Sequence, residues 1–369
     1  MTSNSDSELW KNLPWKKFRK NLFRLQCRLW KAIRVGNRKR ANNLQKLILK
    51  SRSARLLAIR QVTQLNTGKK TAGVDGKASL TFFERFDLDN LLKAQVNTWN
   101  HSKLRQIPIP KKDGTKRILK VPKYRAWQCV IKYALEPAHE AIFAQRSYGF
   151  RPGRSAHDAQ KYLCDNLKSR ANGKDKIILE MDIEKCFDRI SHNHLMAQVI
   201  APQSVKLGLW KCLKVGVNPE FPEQGTPQGG VCSPLLANIA LNRIETIHKS
   251  VRYADDMVFI FKKGDNQAKV IDEIIEFLHV RGLNIKSAKT RFVSATDGFN
   301  FLGWNFKVQK NGKFRCIPSE PNYLTFRQKI KAIINNSNYG ASTKAEKLSP
   351  IVRGWRNYHR YCKMDGSRF

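Results

Sequence analysis

A chain of 369 residues, 41% of them hydrophobic, is long enough for two or three domains and a buried core, which excludes a wholly disordered polymer. Lys and Arg number 69 against 29 Asp and Glu, a formal charge of +40; a compact chain carries that self-repulsion only against a polyanion, with nucleic acid ahead of an acidic membrane surface. No apolar run approaches a membrane span, MTSNSDSELW holds no signal-peptide core, and the eight cysteines form no CxxC, which argues against a spanning segment, a secretion signal, a zinc ribbon and a disulfide framework.

Residues 10 to 60 read as basic helices. Trp10, Phe18, Leu22, Leu25, Leu29, Ala32 and Ile33 recur at helical spacing with Lys and Arg between them. Gly36-Asn37 breaks the run, and a second basic helix is expected over Arg40 to Arg60. Such a face is either solvated or made to track phosphates, and the density of cations around Trp10, Trp15 and Trp30 favours the second. The loop TGKKTAGVDG (67–76) is Gly-rich but lacks the GK[ST] of a nucleotide-binding P-loop. RQIPIPKKDGTKRILKVP (105–122) alternates around Lys112-Asp113-Gly114 and predicts a hairpin with a basic tip. A helix follows on Trp127, Val130, Ile131, Ala134 and Leu135, and then SYGFRPGRSAHDA (147–159), a basic turn leading into a helix.

The central block carries the chemistry. KIILEMD (176–182) predicts a buried strand, followed by a helix over EKCFDRISHNHL. His192 and His194 fall where a helix begins, with Ser191 as N-cap, and are not read as a metal site. EQGTPQGGVCSPLLANIAL (223–241) is a Gly/Pro turn feeding an apolar helix, and VRYADDMVFIF (251–261) reads as two strands joined at Asp255-Asp256. A helix over Asn266 to Arg281, a short strand near GLNI and the segment FLGWNF complete an α+β unit. Beyond Pro318 and Pro321 the pattern is helical and basic, and no internal repeat is evident.

Three acidic residues are presented by hydrophobic strands: Asp182 at a strand end, Asp255 and Asp256 in a turn. A bare carboxylate there needs a partner, which is either Lys or Arg in a structural salt bridge or a metal ion. Phosphoryl transfer uses hard divalent cations about 3.5–4 Å apart and basic groups on the phosphates. Arg105, Lys111 and Arg117 on the hairpin and Lys289 after the last helix of the block are available for the phosphates.

The ordered set AGVDG, IPIPKKDGTKR, SYGFRPGRSAHDA, MDIEKCFDRISH, GTPQGGVCSPLLANIALN, RYADD, GLNIKSAKT and FLGWNF resembles the bacterial-type reverse transcriptase/maturase of group II introns across residues 65 to 306. LSPIVRGWRNYHRY (348–361) resembles the start of that family's thumb, the maturase region. The resemblance implies an α+β right-hand polymerase: a basic N-terminal extension (1–60) for template and intron RNA, fingers (61–175), a ferredoxin-like palm with an antiparallel sheet (176–318), and a partial helical thumb (319–369). It implies RNA-directed DNA synthesis, with intron RNA, an RNA template, a DNA primer or target, and dNTPs as partners, two Mg²⁺ (Mn²⁺ as substitute) as cofactor, and a ribonucleoprotein in the bacterial cytoplasm. Asp182, Asp255 and Asp256 are the implied metal ligands. Phe187 matches the aromatic that excludes a 2′-OH, and Gln228 a residue touching the nucleotide. Lys111, Arg117 and Arg105 match cations on the triphosphate, and Lys289 the lysine beside the pyrophosphate, a candidate proton donor.

Two departures from the family pattern stand out. ILKVPKYRA (118–126) replaces the usual RPLGIPT and the Asp-Arg that follows, and these residues include no counterpart of the third thumb helix, DNA-binding segment or HNH endonuclease, so endonuclease activity is not expected of them. A non-catalytic RNA-binding maturase and a retron- or CRISPR-associated relative are the alternatives. The three Asp argue against the first, and QGTPQGG and LSPIVRGW against the second.

Overall fold

The computed structural model describes residues 2–66, 80–99, 105–110, 116–121, 125–215, 221–226 and 229–363, with the side chains of 2–4, 105–110 and 116–121 left aside. The loop 67–76, the hairpin tip with Lys111 and Lys112-Asp113-Gly114, and Gln228 lie outside the described residues. In chain order the elements begin with α1 (Thr2–Lys11), α2 (Trp15–Arg34), α3 (Arg38–Lys50), α4 (Arg52–Arg60), α5 (Phe82–Gln95), β1 (Arg105–Pro110), β2 (Lys116–Val121), α6 (Arg125–Glu140) and α7 (Ala156–Leu167). Next come β3 (Ile177–Met181), α8 (Cys186–Arg189), α9 (His192–Gln198), α10 (Gln203–Val215), α11 (Ser233–Leu241), α12 (Ile244–Ile247), β4 (Ser250–Tyr253), β5 (Asp256–Phe261) and α13 (Gln267–His279). The last are β6 (Arg291–Ser294), β7 (Phe299–Phe301), β8 (Trp304–Val308), β9 (Phe314–Pro318), α14 (Glu320–Ile334) and α15 (Ala341–Tyr358).

These elements form two compact units interleaved along the chain, 1–145 with 184–244 and 274–284, and 146–183 with 245–273 and 285–369. Segment 176–318, read from the sequence as one palm, contributes to both.

The first unit is helical around a core that draws on Leu22, Leu29 and Ile33 of α2, Leu44 and Ile48 of α3, and Trp127, Ile131 and Leu135 of α6. The basic helix expected over Arg40 to Arg60 is two helices, because the Ser51 side chain accepts from Ala54 N and starts α4 afresh. Asn37 caps α3 in the same way, accepting from Arg40 N at 2.9 Å. Trp10 is not part of a phosphate-tracking surface. It is 1% exposed, donates Nε1 to Gln64 Oε1 (3.1 Å) and meets Trp15 and Phe86 edge-on. Trp30 does remain exposed, with Arg34 over its ring, and Trp15 lies under Arg60. The helix expected over EKCFDRISHNHL is also broken: Ile190 gives its carbonyl to Gly225 N (2.8 Å), and Ser191 then caps α9. The hairpin forms as expected, with Arg105 opposite Val121 and Arg117 opposite Ile109.

The second unit holds an antiparallel sheet of order β4-β5-β3-β6, a second antiparallel sheet β7-β8-β9, and helices α7, α14 and α15. Leu163, Ile178, Val258, Ile260, Phe299, Trp304 and Phe306 belong to one buried cluster. FLGWNF is a hairpin in which Leu302 and Gly303 form the loop, both at positive φ (52° and 77°), as a type I′ turn requires. The strand expected near GLNI is a single bridge between Ile183 and Ile285, and the neighbour of β3 is instead β6, after Lys289. Its exposed Arg291 pairs with Glu180 across the strands, a cross-strand ion pair that the apolar pattern does not announce. Tyr358 of α15 stacks on Trp304 at 4.6 Å and donates its hydroxyl to Leu302 O (2.7 Å).

Candidate catalytic carboxylate site

The hydrophobic strands β3 and β5 pair in a register that sets Met181 opposite Met257. One step along, Asp182 follows the end of β3 and Asp256 begins β5, so the two acids occupy adjoining ends of the central strands. Tyr253 pairs with Asp256, leaving Ala254 and Asp255 as a two-residue turn with Ala254 at φ 60°. Asp255 is half-buried there and Asp256 exposed. Lys289 comes to the same end of the sheet because Lys286 N donates to Asp182 O (2.9 Å). Its Nζ stands 3.3 Å from Asp182 Oδ2.

Like charges on neighbouring strand ends repel. The Asp256 carboxyl is pushed up to about 6 by the protein packed around it and then by Asp255 and Asp182, with Lys289 pulling the other way. Both the packing and the two acidic neighbours disfavour the charged carboxylate. Among the described residues no group of three or more His, Cys, Asp or Glu is drawn together tightly enough to hold an ion as it stands. The donor set nonetheless suits a hard divalent cation: carboxylate oxygens on one sheet end, mutually repelled, with one already leaning on an ammonium.

This repulsion has a measurable signature. Asp256 binds its proton more tightly folded than unfolded, so ionising it costs stability, increasingly as the pH rises from 3.8 to about 6 and steadily above. Asp256→Asn is therefore expected to melt higher than the parent at pH 7.5 in EDTA, and the gain should vanish below pH 4. Thermal melts at the two pH values check it, and equal melting at pH 7.5 would remove the repulsion from the account.

Several residues that build the turn are not singled out by the motifs. Arg252 of β4 is 1% exposed and ion-paired with the equally buried Glu245. It donates to Ser147 Oγ (2.7 Å) and to Ala254 O (2.9 Å), so it holds the carbonyl just before Asp255. Gly149 lies against the same turn, where an added Cβ would stand 2.4 Å from Ala254 N. An Arg inside an apolar strand with a Glu seven residues earlier was the available signal.

The other expected site residues fall in the first unit. Phe187 is half-buried on α8, and its carbonyl accepts from Thr226 N at 2.6 Å, which ties α8 to the start of the TPQGG turn. Gly225 in that turn admits no side chain, since a Cβ would meet Asp188 O at 2.7 Å. His192 is buried with Nε2 2.7 Å from Gly225 O. Arg105 and Arg117 are placed by the backbone of β1 and β2 alone.

Residues 109–306 match the family model for reverse transcriptase (RNA-dependent DNA polymerase), 10–92 that for the N-terminal domain of reverse transcriptase, and 324–367 that for the group II intron maturase-specific domain. The chain is 40% identical to "Maturase-like protein 1" of Euglena gracilis over 357 residues, 95% of this chain and 78% of that protein. It is 32% identical to the "Group II intron-encoded protein LtrA" of Lactococcus lactis over 190 residues, 49% of this chain and 31% of that one. A solved telomerase from Candida albicans in complex with telomeric RNA is similar at 13% identity and a TM-score of 0.43, covering 73% of this chain and 55% of the telomerase chain.

Proposed function

Because the chain belongs to the reverse transcriptases and maturases of group II introns, we infer that it copies intron RNA into DNA for the intron's mobility and assists the splicing of that RNA. The observation that carries the polymerase reading is the adjoining placement of Asp182 and Asp256 at paired strand ends with Asp255 in the turn between β4 and β5. In this reading a primer 3′-OH attacks the α-phosphate of a dNTP, the new phosphodiester forms, and pyrophosphate leaves. Asp182, Asp255 and Asp256 would hold two Mg²⁺, which supply charge neutralisation of the attacking and leaving oxygens. Lys289, now paired with Asp182, carries an ammonium whose proton can pass to the departing pyrophosphate oxygen. Lys111, Arg117 and Arg105 are proposed for the triphosphate and Gln228 for the nucleotide. The maturase half rests on the match at 324–367, which falls on α14 and α15.

Phe187 is proposed as the sugar gate. Its backbone is fixed by Thr226 N while its ring stays partly open, five residues beyond Asp182 in the chain. A ring that excludes a 2′-OH discriminates by clash, because it cannot yield without losing its own packing. Phe187→Val is expected to raise the ratio of ribonucleotide to deoxyribonucleotide kcat/KM while slowing dNTP use only modestly. Single-nucleotide extension on an RNA template with dNTP and rNTP in parallel measures both. A constant ratio with both activities reduced would make Phe187 a packing residue.

A further inference from the structure

One cavity of the first unit, about 550 Å³, is lined by Arg38, Lys206, Arg243 and Arg281 and, among the described residues, by no carboxylate. The cations arrive from separate parts of the chain: the start of α3, α10, the residue after Asn242 beyond α11, and the stretch beyond α13. A charge run on one exposed helix would not converge in this way. Apolar wall is supplied by Ile142, Val199 and Ile200.

Two of the cationic groups are held in place. Arg281 lies over the Phe277 ring at 3.3 Å and donates Nε to Ala240 O (2.8 Å). Lys206 Nζ donates to Met196 O (3.3 Å). Arg243 sits at φ 79°, a conformation that costs a non-glycine residue and persists only where its surroundings impose it. The field is felt nearby: buried His139 is pushed down to about 3, by burial and then by Arg38 and Lys206, and its Nε2 accepts from Ile200 N (3.2 Å). The cavity also continues the basic face of α2, since exposed Arg34 at the end of that helix donates to Ala141 O, next to Ile142 in the wall.

We propose that this cavity seats the phosphodiester backbone of RNA, with phosphate oxygens on Lys206, Arg243, Arg38 and Arg281 and the ribose edge on the apolar wall. The proposal rests on the reading of the chain as an RNA-binding protein but not on its polymerase activity. Affinity of the full chain for a single-stranded RNA is measured by fluorescence anisotropy between 50 and 200 mM KCl in EDTA, so that extension is never the readout. Leaving two phosphates without a cation lowers the salt slope by roughly 1.4, about a sevenfold smaller change in affinity over that range. Lys206→Gln with Arg243→Gln should show that drop, Lys206→Arg with Arg243→Lys should keep the parent slope, and the charge-matched Lys310→Gln with Lys313→Gln should fall well short of it. Should the double glutamine variant melt early, Lys206→Gln alone is expected to show about half the drop. Pocket and control variants with equal slopes overturn the proposal. So does an unmoved slope accompanied by stabilisation with inorganic tripolyphosphate, which would make the cavity a site for small anions.

Discussion

Asp182→Ala and Asp255→Ala are each expected to abolish DNA synthesis, with losses of several orders of magnitude in kcat, while leaving RNA affinity nearly unchanged. The reason is local. Asp182 is presented by β3, and Asp255 by a turn that Arg252 and Gly149 brace from below. Removing either carboxylate would remove a ligand of the proposed Mg²⁺ ions, whose charge would neutralise the reacting phosphates and align attack with departure, an effect worth several kcal/mol. It also leaves the packing intact, since both side chains are only partly buried at the sheet end. Asp182→Ala additionally frees Lys289 from its ion pair, so Asp182 and Lys289 should not be additive in a double-mutant cycle. Primer extension at saturating Mg²⁺, with RNA affinity measured alongside, decides it; near-parental extension by either variant would remove the residue from the chemistry.

Binding of single-stranded RNA is expected to weaken by roughly 3×10²–2×10⁴ between 50 and 200 mM salt if some 6–10 phosphates are neutralised, at about 0.7 in slope for each. The exposed face of α2 carries Lys16, Lys17, Lys20, Arg24, Arg28 and Lys31. Deleting residues 1–50 is not the way to test it, because Leu22, Leu29, Ile33, Leu44 and Ile48 would leave the core of the first unit with them. Lys16→Gln, Lys20→Gln, Arg24→Gln, Arg28→Gln and Lys31→Gln together keep the core and should flatten the salt slope by about 0.7 for each phosphate no longer neutralised. An unchanged slope in a variant that melts like the parent would take α2 out of the binding surface.

The site was legible where chemistry and periodicity coincide. A carboxylate closing an apolar strand, and two more in a turn between apolar strands, have few structural uses, and β3, β4 and β5 form as their patterns require. Less legible was whatever depends on distant partners. Trp10 looks like the other N-terminal tryptophans in sequence, and only Gln64 and Phe86, brought in by the fold, make it a core residue. The break between α8 and α9 follows from Gly225 claiming the Ile190 carbonyl, a bond across more than thirty residues. GLNI has a strand-like apolar spacing, but only Ile285 reaches Ile183, and the edge of the sheet passes to β6. The buried Arg252–Glu245 pair under the turn is announced in sequence by no more than an Arg in an apolar strand seven residues after a Glu, because its desolvation is repaid by partners such as Ser147 and the Ala254 carbonyl once the fold is closed.

The most direct test is extension of a DNA primer on an RNA template by the purified full chain, with dNTPs and Mg²⁺, the product confirmed as the template's complement. Complementary DNA made by the parent and not by Asp255→Asn, with equal RNA affinity in the two proteins, is the expected result. RNA binding by a folded parent that extends no primer under Mg²⁺ or Mn²⁺, or equal extension by Asp255→Asn, would contradict it.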